Sequence, residues 1–387
     1  MGVYSGPNSE EDGLVLAIDA GNKKSFSPNV FPRGTDIYGW YVDTKGDALA
    51  ANSTLSRDTI SSPVGNTPLK MTVTNNDPYI ASYNSSIWNL ANAASGETWT
   101  ISVYVKASQS TTGELLLFGA NSSGAYVEVP NTTVNITTSW TRVSYTATFS
   151  NATTAFLQMR LDGPQSGGAG IDVWWDGLQI ERGSTATEFT KEYTLDSSFN
   201  ERTLDLSGNS NHGALFGSVS YSPSNGGVLV LPGTTGSYID ITSLNLSTQN
   251  YTVVGASRYV SIGGRVFSGK SNNWLMGHWS SSTVKHYANG WVTDSGSSEQ
   301  SDTNWRIYAA TGNYSTDSWA FYVNGQLDTG PNSNGVNGPN GFSIGRYAIS
   351  NGEYSNSQIS FLLCYNRVLT SSEIQRNFIA LRGRFGI

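Results

Sequence analysis

Short apolar runs separated by polar turns recur along almost the whole chain, and this pattern constrains the fold more than any other feature. The run from Trp99 to Lys106 alternates with a period of two, as a strand with one buried face does. Comparable runs occur at Trp140–Phe149, Ala155–Leu161, Val228–Leu231 and Trp319–Val323. Between them lie Gly, Asn, Ser and Thr, which form turns, and 42 of the 387 residues are Gly. We therefore predict an all-β protein.

The only helix that the sequence predicts lies at the C-terminal end. Thr370 and Glu373 have the spacing of a capping box, in which each side chain accepts the backbone N–H of the other residue. Ile374, Phe378 and Leu381 then fall on one helical face. This spacing predicts one short amphipathic helix packed against a sheet.

Charge and hydropathy exclude two classes of partner. The net charge is -7, charged residues make up 13% of the chain, and no run of Lys or Arg is present. A chain without a basic face is not expected to bind nucleic acid. No apolar run approaches the ~18 residues of a membrane span, and residues 1–12 form a polar arm without the features of a signal peptide. We predict no nucleic-acid partner and no membrane partner.

The single cysteine bears on where the protein folds. Cys364 stands alone, so that the chain has no internal disulfide, which fits folding in a reducing cytosol. It lies in the apolar run Ile359–Tyr365. We predict a buried and unreactive thiol.

Two separated segments resemble parts of one known domain. Gly13–Asn22 resembles the opening strand of the laminin-G-like, concanavalin A-like lectin domains of tailed-phage structural proteins. In those domains a second motif follows shortly, but here its counterpart, Asp205–Gly213, comes much later. The ending, Tyr365–Gly386, resembles the terminal segment of lectin-like domains in phage virion proteins, especially those of cyanophages. The resemblance implies that one domain is completed by both chain ends, with Leu14–Ile18 paired to Gln358–Leu363.

The intervening stretch resembles a second kind of sandwich. Asn29–Pro32 and Tyr38–Tyr41 are similar to the entry of family 4 and family 9 carbohydrate-binding modules, and Trp175–Thr187 is similar to the close of such a jelly roll. The predicted fold is therefore two β-sandwich (jelly-roll) domains, one inserted into the first loop of the other, with one short C-terminal helix. The predicted boundaries are an arm at 1–12, a lectin-like domain at 13–28 and 195–387, and the insert at 29–194.

Catalytic patterns are weak. Glycosidases place paired carboxylates beside the scissile bond, and the chain has no Glu-x-Asp-x-x-Glu arrangement. His212, His278 and His286 have no acidic residue in register. We predict that the protein is not an enzyme, with a carbohydrate-active enzyme or its accessory module as the alternative.

Clustered aromatic residues indicate sugar binding, because a sugar ring can stack its C–H face on an exposed aromatic ring. The candidates in the lectin-like domain are Trp274, Trp279, Tyr287 and Trp291, and those in the insert are Trp40 and Trp88, with Tyr79 and Tyr83 beside them. The alternative is that some of these rings fill the sandwich cores. Core positions are expected for Trp99, Trp140 and one of Trp174 and Trp175.

Oxygen-bearing side chains define a weak calcium hypothesis. Asp205 and Asn209, with Ser207 and Asn211, offer oxygen ligands at alternate positions. The module resemblance implies calcium at Asp176. The alternative, which we favour for Asp205, is that these side chains build a turn by accepting bonds from their own backbone. We expect no cofactor, with calcium as the alternative.

The resemblances together imply a function. They suggest a structural protein on the external surface of a tailed-phage virion, as a fibre, tail appendage or capsid decoration, made in the host cytoplasm. Its expected partners are other virion proteins, further copies of itself and a host cell-surface glycan. A structural spacer that binds no sugar is the remaining alternative.

Overall fold

The computed structural model describes residues 9–31, 34–44, 50–65, 67–83, 85–190, 201–261, 263–293 and 302–387. The chain divides into two compact units. Unit 1 is built from Met1–Phe26 and Arg202–Ile387, and unit 2 is the continuous stretch Ser27–Glu201. The fold class is confirmed: both units are β-sandwiches, and unit 2 is inserted within the sequence of unit 1.

The strands are numbered along the chain. Those of unit 1 are β1 (Leu14–Asp19), β14 (Arg202–Thr203), β15 (Gly213–Phe216), β16 (Ser220–Ser222), β17 (Val228–Pro232), β18 (Tyr238–Asn245), β19 (Tyr251–Tyr259), β20 (Arg265–Gly269), β21 (Trp274–Trp279), β22 (Ser282–Ala288), β23 (Arg306–Asn313), β24 (Ser318–Val323), β25 (Gln326–Asn332), β26 (Asn340–Ile344) and β27 (Asn356–Tyr365). Those of unit 2 are β2 (Ala50–Ala51), β3 (Ser53–Arg57), β4 (Leu69–Val73), β5 (Tyr79–Ser82), β6 (Ala91–Asn92), β7 (Thr98–Ala107), β8 (Thr111–Ala120), β9 (Tyr126–Glu128), β10 (Asn131–Ile136), β11 (Thr141–Thr148), β12 (Phe156–Asp162) and β13 (Asp172–Arg182).

Unit 1 consists of two antiparallel sheets over a common core. One sheet has the order β16-β17-β27-β19-β23-β24-β25, with β1 also paired to β27. The other has the order β14-β15-β18-β26-β20-β21-β22. The buried side chains between them include Leu16, Tyr251, Trp274, Trp319 and Phe342. Strand β22 is the last strand of this second sheet, and at such an edge side chains can reach solvent.

The predicted pairing of the two chain ends is confirmed. Strand β1 runs antiparallel to β27, and Ala17 lies opposite Leu363. Leu16 and Ile18 point into the core between the sheets, whereas Ala17 joins a second apolar cluster on the other side of the sheet. The run is apolar without alternation because both faces of β1 are covered.

The predicted C-terminal helix, α2 (Ser371–Leu381), is confirmed together with its capping box. Thr370 accepts the backbone N–H of Glu373 at 3.3 Å, and Glu373 accepts that of Thr370 at 2.7 Å. Ile374 and Phe378 pack in the same cluster as Ala17. A hydrogen bond from Arg367, with further bonds from Thr370, lowers the pKa of Glu373 to about 2. The helix therefore caps the outer face of the sheet that contains β1.

Unit 2 is a second two-sheet sandwich. Its first sheet has the order β10-β8-β12-β5-β2, with β6 paired to β12 and β9 paired to β8. Its second sheet has the order β11-β7-β13-β4-β3. The core includes Trp99, Ile101, Leu117, Met159 and Trp175, all fully buried. Every strand pair in both sheets is antiparallel.

Short helical segments occur where the sequence predicts none. The segment α1 (Ile37–Gly39) begins at Asp36, whose side chain accepts the N–H of Gly39 at 2.9 Å, and it continues into a π-helical turn, Trp40–Thr44. Turns of 3-10 helix lie at Ser86–Trp88, Ser224–Gly226 and Arg382–Arg384. These turns are too short for the apolar periodicity of a helix to show in the sequence.

Two further properties of the chain concern its apolar parts. Among the described residues, no helix is long and apolar enough to cross a membrane. Cys364 is fully buried, and burial raises the pKa of its thiol well above the ordinary value. The prediction that the thiol is buried is confirmed.

Candidate functional site

Trp274 lies in the core of unit 1. Its side chain is fully buried, its indole Nε1–H donates to the hydroxyl of Tyr251 at 3.0 Å, and its ring packs edge-on against Phe342. A ring without an exposed face cannot stack on a sugar. The prediction that Trp274 contributes to a sugar platform is therefore wrong.

Trp279, Tyr287 and Trp291 form an aromatic cluster, here called the Trp279 cluster, at the β21–β22 edge. The ring centroids of Trp279 and Trp291 lie 5.3 Å apart at an angle of 41°, and those of Tyr287 and Trp291 lie 5.0 Å apart at 70°. All three side chains are partly exposed. Three of the four predicted rings of this region are thus brought together with faces that reach solvent.

Ordinary alternation along β21 separates Trp274 from Trp279, because residues five apart in a strand point to opposite faces of the sheet. Gly277 has a φ of +85°, and the pairing of β21 with β22 shifts register between Gly277 and Trp279. A Cβ atom at Gly277 would lie 2.6 Å from the ring of Tyr308, so only glycine fits there. His278 lies on the same face as Trp274 and is buried, whereas Trp279 lies on the other face and is partly exposed.

Polar groups hold Trp279 in place. Its indole Nε1–H donates to Oε2 of Glu353 at 2.8 Å, and Nε of Arg265 donates to the same oxygen at 2.7 Å. The Arg265 guanidinium also lies 3.8 Å from the ring centroid of Tyr347 and donates to Oδ1 of Asn273 at 2.8 Å. Because Arg265 is only 5% exposed, it acts as a fixed support behind the surface.

A surface pocket of about 450 Å³ opens beside Trp279. It is lined by Gly263, Gly264, Trp279, Ser280, Ser281 and Glu353. An aromatic wall, hydroxyl groups, a carboxylate and exposed backbone together suit a polyhydroxylated ligand. Gly264 allows this side of the pocket to lie close to the backbone of Tyr354, since a Cβ atom at Gly264 would lie 2.4 Å from the carbonyl oxygen of Tyr354.

Sequence reasoning missed the polar half of this site. Gly263, Gly264 and Arg265 lie at the start of β20, whereas Glu353 lies in the connection between β26 and β27. These two segments are distant along the chain, and neither carries a motif. The doubled glycine was the one available signal, because such a pair often marks a position where backbone approaches closely.

The predicted sugar-binding tryptophans of unit 2 are also core residues. Trp40 is 1% exposed and Trp88 is 6% exposed. Their rings pack against each other with centroids 5.8 Å apart, and Trp40 also contacts Phe31 and Tyr41. Both predictions are wrong, because the short helical turns that carry these residues direct the rings into the sandwich.

Tyr79 and Tyr83 instead belong to an aromatic surface on the first sheet of unit 2. Their hydroxyl groups lie 3.2 Å apart, and Tyr83 stacks on Phe118 with centroids 5.0 Å apart. Tyr126 adds a ring that is 49% exposed. Burial, together with the hydrogen bond that Tyr83 donates to the hydroxyl of Tyr79, raises the pKa of Tyr83 to about 12.

The predicted core tryptophans divide differently from expectation. Trp99 and Trp175 are fully buried, as predicted. Trp140, which the sequence also assigned to the core, is partly exposed together with Trp174 on the outer face of the second sheet. Trp140 immediately precedes β11 and lies beside Lys106, on the face of the sheet that points away from the core.

The histidines of unit 1 are structural. Nδ1 of His286 lies 2.8 Å from the carbonyl oxygen of Leu275, and Nδ1 of His278 lies 3.0 Å from the hydroxyl of Ser257. Burial lowers the pKa of His278 to about 3 and that of His286 to about 4. Both rings are therefore neutral and enclosed at ordinary pH. His212 accepts the backbone N–H of Asp205 at 3.0 Å.

Asp162, in unit 2, is a buried carboxyl group with a raised pKa. Burial raises the pKa of Asp162 to about 6, although Nε of Arg160 donates to it at 2.5 Å. The same guanidinium also bonds Asp77. Two carboxylates that share one guanidinium form an ion-pair network rather than an acid and a nucleophile that face each other across a sugar.

The metal candidates do not converge on one site. Oδ1 of Asp205 accepts the N–H groups of Ala17 and Ser207, and Oδ2 accepts the Ser207 hydroxyl and the N–H of Asn211. Asn209 is exposed and donates to the Ser207 hydroxyl at 3.0 Å. These bonds agree with the turn interpretation of Asp205.

Asp176 belongs to unit 2, whereas Asp205 and Asn209 belong to unit 1. It is 1% exposed and accepts bonds from the Ser62 hydroxyl and the N–H of Gly177. Across the described parts of the chain, no group of three or more His, Cys, Asp or Glu residues is placed to hold a metal ion.

A comparison with protein-family models identifies the lectin-like part of the chain. Residues 233–375 match a laminin G family model described as the concanavalin A-like lectin/glucanases superfamily. The matched range includes the Trp279 cluster and its pocket. This part of unit 1 is therefore similar to the concanavalin A-like lectin/glucanases superfamily. A comparison with curated proteins found no match.

Several solved structures are similar to parts of this chain. Domain 4 of AbnA, a GH43 extracellular arabinanase from Geobacillus stearothermophilus solved with arabinotriose, is 19% identical, with a TM-score of 0.37, covering 45% of this chain and 91% of that one. A family 16 carbohydrate binding module-2 is 13% identical, with a TM-score of 0.29, covering 39% and 99%. The CBM22-1-CBM22-2 tandem domain of Paenibacillus barcinonensis Xyn10C is 11% identical, with a TM-score of 0.27, covering 96% of both chains. None of these similarities identifies a ligand for this chain.

Proposed function

We propose that this protein is a non-enzymatic structural component on the surface of a tailed-phage virion, and that it adheres to host surface glycan through the Trp279 cluster. The observation that carries the binding part is a partly exposed aromatic trio beside a pocket of about 450 Å³, with Trp279 fixed by Glu353 and Arg265. A ring that is already oriented loses little freedom when a sugar stacks on it.

Each part of the site has a distinct role in this proposal. The face of Trp279, extended by Trp291, packs against the C–H face of a sugar ring. The hydroxyl groups of Ser280 and Ser281 and the free lone pairs of Glu353 bond sugar hydroxyls. A single stacked ring contributes on the order of 1 kcal/mol beyond the burial of its area, so one copy binds weakly. Many copies on one particle turn weak contacts into firm adhesion.

The virion assignment is supported by the resemblance of Gly13–Asn22 and Tyr365–Gly386 to lectin-like domains of phage virion proteins. In this proposal the protein contacts other virion proteins and further copies of itself. Mass spectrometry of purified virions, combined with labelling of intact particles by an antibody against unit 1, tests the location. Particles that lack the protein or do not bind the antibody would contradict the assignment.

The binding proposal is tested with a multivalent display of the protein on beads, applied to arrays of host envelope glycans. We expect Trp279→Ala to reduce retention at least tenfold, and Tyr314→Ala to leave it unchanged. Tyr314 is an exposed aromatic residue that does not line the pocket, so it controls for the loss of a surface ring. Equal retention by the two variants would show that Trp279 does not bind the glycan, and it would favour the alternative of a structural spacer that binds no sugar. Release of reducing ends from the glycans, lost on changing one Asp or Glu, would favour the enzyme alternative.

A further inference from the structure

Four side chains form a row across the outer face of the second sheet of unit 2. Lys106 lies opposite Trp174, and Trp174 lies opposite Lys70. Trp140 precedes Thr141, which is the partner of Val105, so Trp140 lies beside Lys106. Strands in a sheet are about 4.8 Å apart, so the row spans about 14 Å across four chain segments. We call Trp140, Lys106, Trp174 and Lys70 the outer row.

The row faces away from the core. Val105 and Ala107, the neighbours of Lys106, are buried in the core cluster, as are Val173 and Trp175, the neighbours of Trp174. The four members of the outer row are each partly exposed. The alternation therefore leaves a flat surface on which indole rings and ammonium groups alternate.

The two lysines of the row are in different electrostatic states. Lys70 forms an ion pair with Asp172 at 2.8 Å, and this hydrogen bond raises its pKa. Nζ of Lys106 lies 5.1 Å from the ring centroid of Trp174 and 5.9 Å from that of Trp140. Within the described residues, no carboxylate lies within ion-pair distance of Lys106. The row thus holds one lysine that is paired with a carboxylate and one that lies against two ring faces.

Both indoles are held in fixed orientations. Trp174 Nε1–H donates to Oδ2 of Asp58 at 2.8 Å, and Trp140 Nε1–H donates to the carbonyl oxygen of Ser61 at 3.0 Å. The hydrogen bond from Trp174 lowers the pKa of Asp58, which keeps that carboxylate charged as an acceptor. Because their polar atoms are already bonded, the rings have only their faces and edges to offer a ligand.

We propose that the outer row binds an acidic polysaccharide, whose anionic group pairs with Lys106 while its sugar rings pack against Trp140 and Trp174. The cation between two aromatic rings matches a ligand that alternates negative charge with C–H surfaces. An extended peptide could not join this surface as a further strand, because β7 and β13 already have strands bonded on both sides. The row lies wholly in unit 2 and does not depend on the proposed site in unit 1.

The test measures binding of the full-length protein to three soluble polysaccharides by affinity electrophoresis at low salt. Polygalacturonate carries carboxylates, dextran sulfate carries sulfate esters, and dextran carries no charge. We expect retardation by at least one of the two acidic polymers and none by dextran. The two acidic arms show whether the anionic group is a carboxylate or a sulfate, and either result supports the proposal.

The variants test the row itself. Lys106→Met keeps the alkyl chain and removes the charge, and we expect it to weaken binding at least tenfold. Lys24→Met removes the same charge from an exposed lysine of unit 1 and should have less than a twofold effect. Trp140→Ala should weaken binding several-fold, and Trp279→Ala should have no effect. Thermal melting confirms that each variant is folded.

Three results would overturn the proposal. Equal behaviour of Lys106→Met and Lys24→Met would show general charge attraction, and unchanged binding by Trp140→Ala would show that the ring does not take part. Binding of polyglutamate as tight as that of the acidic polysaccharides, and equally dependent on Lys106, would identify an acidic protein as the partner. A failure here leaves the unit 1 proposal standing, because that proposal is tested separately by retention of Trp279→Ala on arrays of host envelope glycans.

Discussion

Oδ1 of Asp205 accepts the backbone N–H of Ala17 at 2.8 Å, across a separation of 188 residues. Its second oxygen, Oδ2, accepts the N–H of Asn211 at 3.0 Å. One carboxylate thus fastens β1 to the loop with which the chain resumes unit 1 after the insert. The contact explains why the two halves of the lectin-like motif, although separated in the sequence, lie together in one sandwich.

Asp205→Ala should destabilise unit 1 by about 1–3 kcal/mol, because two buried N–H groups lose their acceptor. Urea denaturation followed by tryptophan fluorescence measures the change. Asp328→Ala is the matched control, since Asp328 is exposed and bonds only its neighbour Thr329. A loss for Asp205→Ala no greater than for Asp328→Ala would contradict this role.

Unit 2 should fold as an isolated fragment, and the second segment of unit 1 should not. The stretch 27–201 is continuous and contains both of its sheets and its own core. The fragment 202–387 lacks β1, which leaves part of β27 unpaired and opens the space filled by Leu16 and Ile18.

Circular dichroism melting of the two fragments tests this expectation. The fragment 27–201 should unfold in one cooperative transition. The fragment 202–387 should gain such a transition only when a peptide of residues 9–26 is added. A fragment 202–387 that melts like the full chain would show that β1 is dispensable.

Trp274 and Trp291 should respond differently to truncation, although they lie in one aromatic region of the sequence. Trp274→Ala removes a fully buried ring and should cost about 3–5 kcal/mol. Trp291→Ala removes a partly exposed ring at the sheet edge and should cost less than about 1 kcal/mol. Chemical denaturation of both variants checks the difference, and equal losses would contradict the burial of Trp274.

Acidification should weaken unit 1 through its buried histidines. The pKa of His286 is about 4 and that of His278 about 3, whereas both are near 6.5 in an unfolded chain. Between these values the unfolded state binds more protons, so stability falls as pH drops below about 6.5. A pKa difference of one corresponds to about 1.4 kcal/mol, which gives a loss of about 2–3 kcal/mol per histidine by pH 4.

The His286→Gln variant isolates one of these groups. Its stability at pH 7 is lower, but its dependence on pH between 7 and 4 should be shallower than that of the natural protein. Parallel curves would show that His286 does not titrate on unfolding. Asp162 acts in the opposite sense in unit 2, since its folded pKa of about 6 exceeds the ordinary 3.8. The two units should therefore be followed by separate melting transitions.

The sequence predicts the fold well because the fold depends on repeated, local patterns. Alternation in β7, the continuous apolar run of β1 and the capping box of Thr370 and Glu373 each act through neighbouring residues. The two separated halves of the lectin-like motif also predicted the long-range pairing of β1 with β27, which local patterns alone do not predict.

The candidate sites are harder to predict, because they depend on which alternate residues of a strand face the core and on which strands lie next to each other in a sheet. Alternation puts Trp274 and Trp279 on opposite faces of β21, but both are tryptophans, so the residue types do not show which of the two faces the core. The pairing of Lys106 with Trp174 joins distant segments, so the outer row becomes visible only when β7 and β13 lie side by side.

The chain leaves unit 1 and returns to it at almost the same point. The carbonyl oxygen of Ser25 accepts the N–H of Leu204 at 2.6 Å, and the Ser25 hydroxyl donates to the carbonyl oxygen of Leu204 at 2.7 Å. These bonds hold together the two points at which the insert begins and ends. The stability of unit 1 should therefore depend little on the length of the insert, since doubling a connection costs only about 0.6 kcal/mol in closure entropy. Evolution could exchange the inserted module for another whose ends lie close together, and so alter what the protein recognises while its scaffold is inherited unchanged.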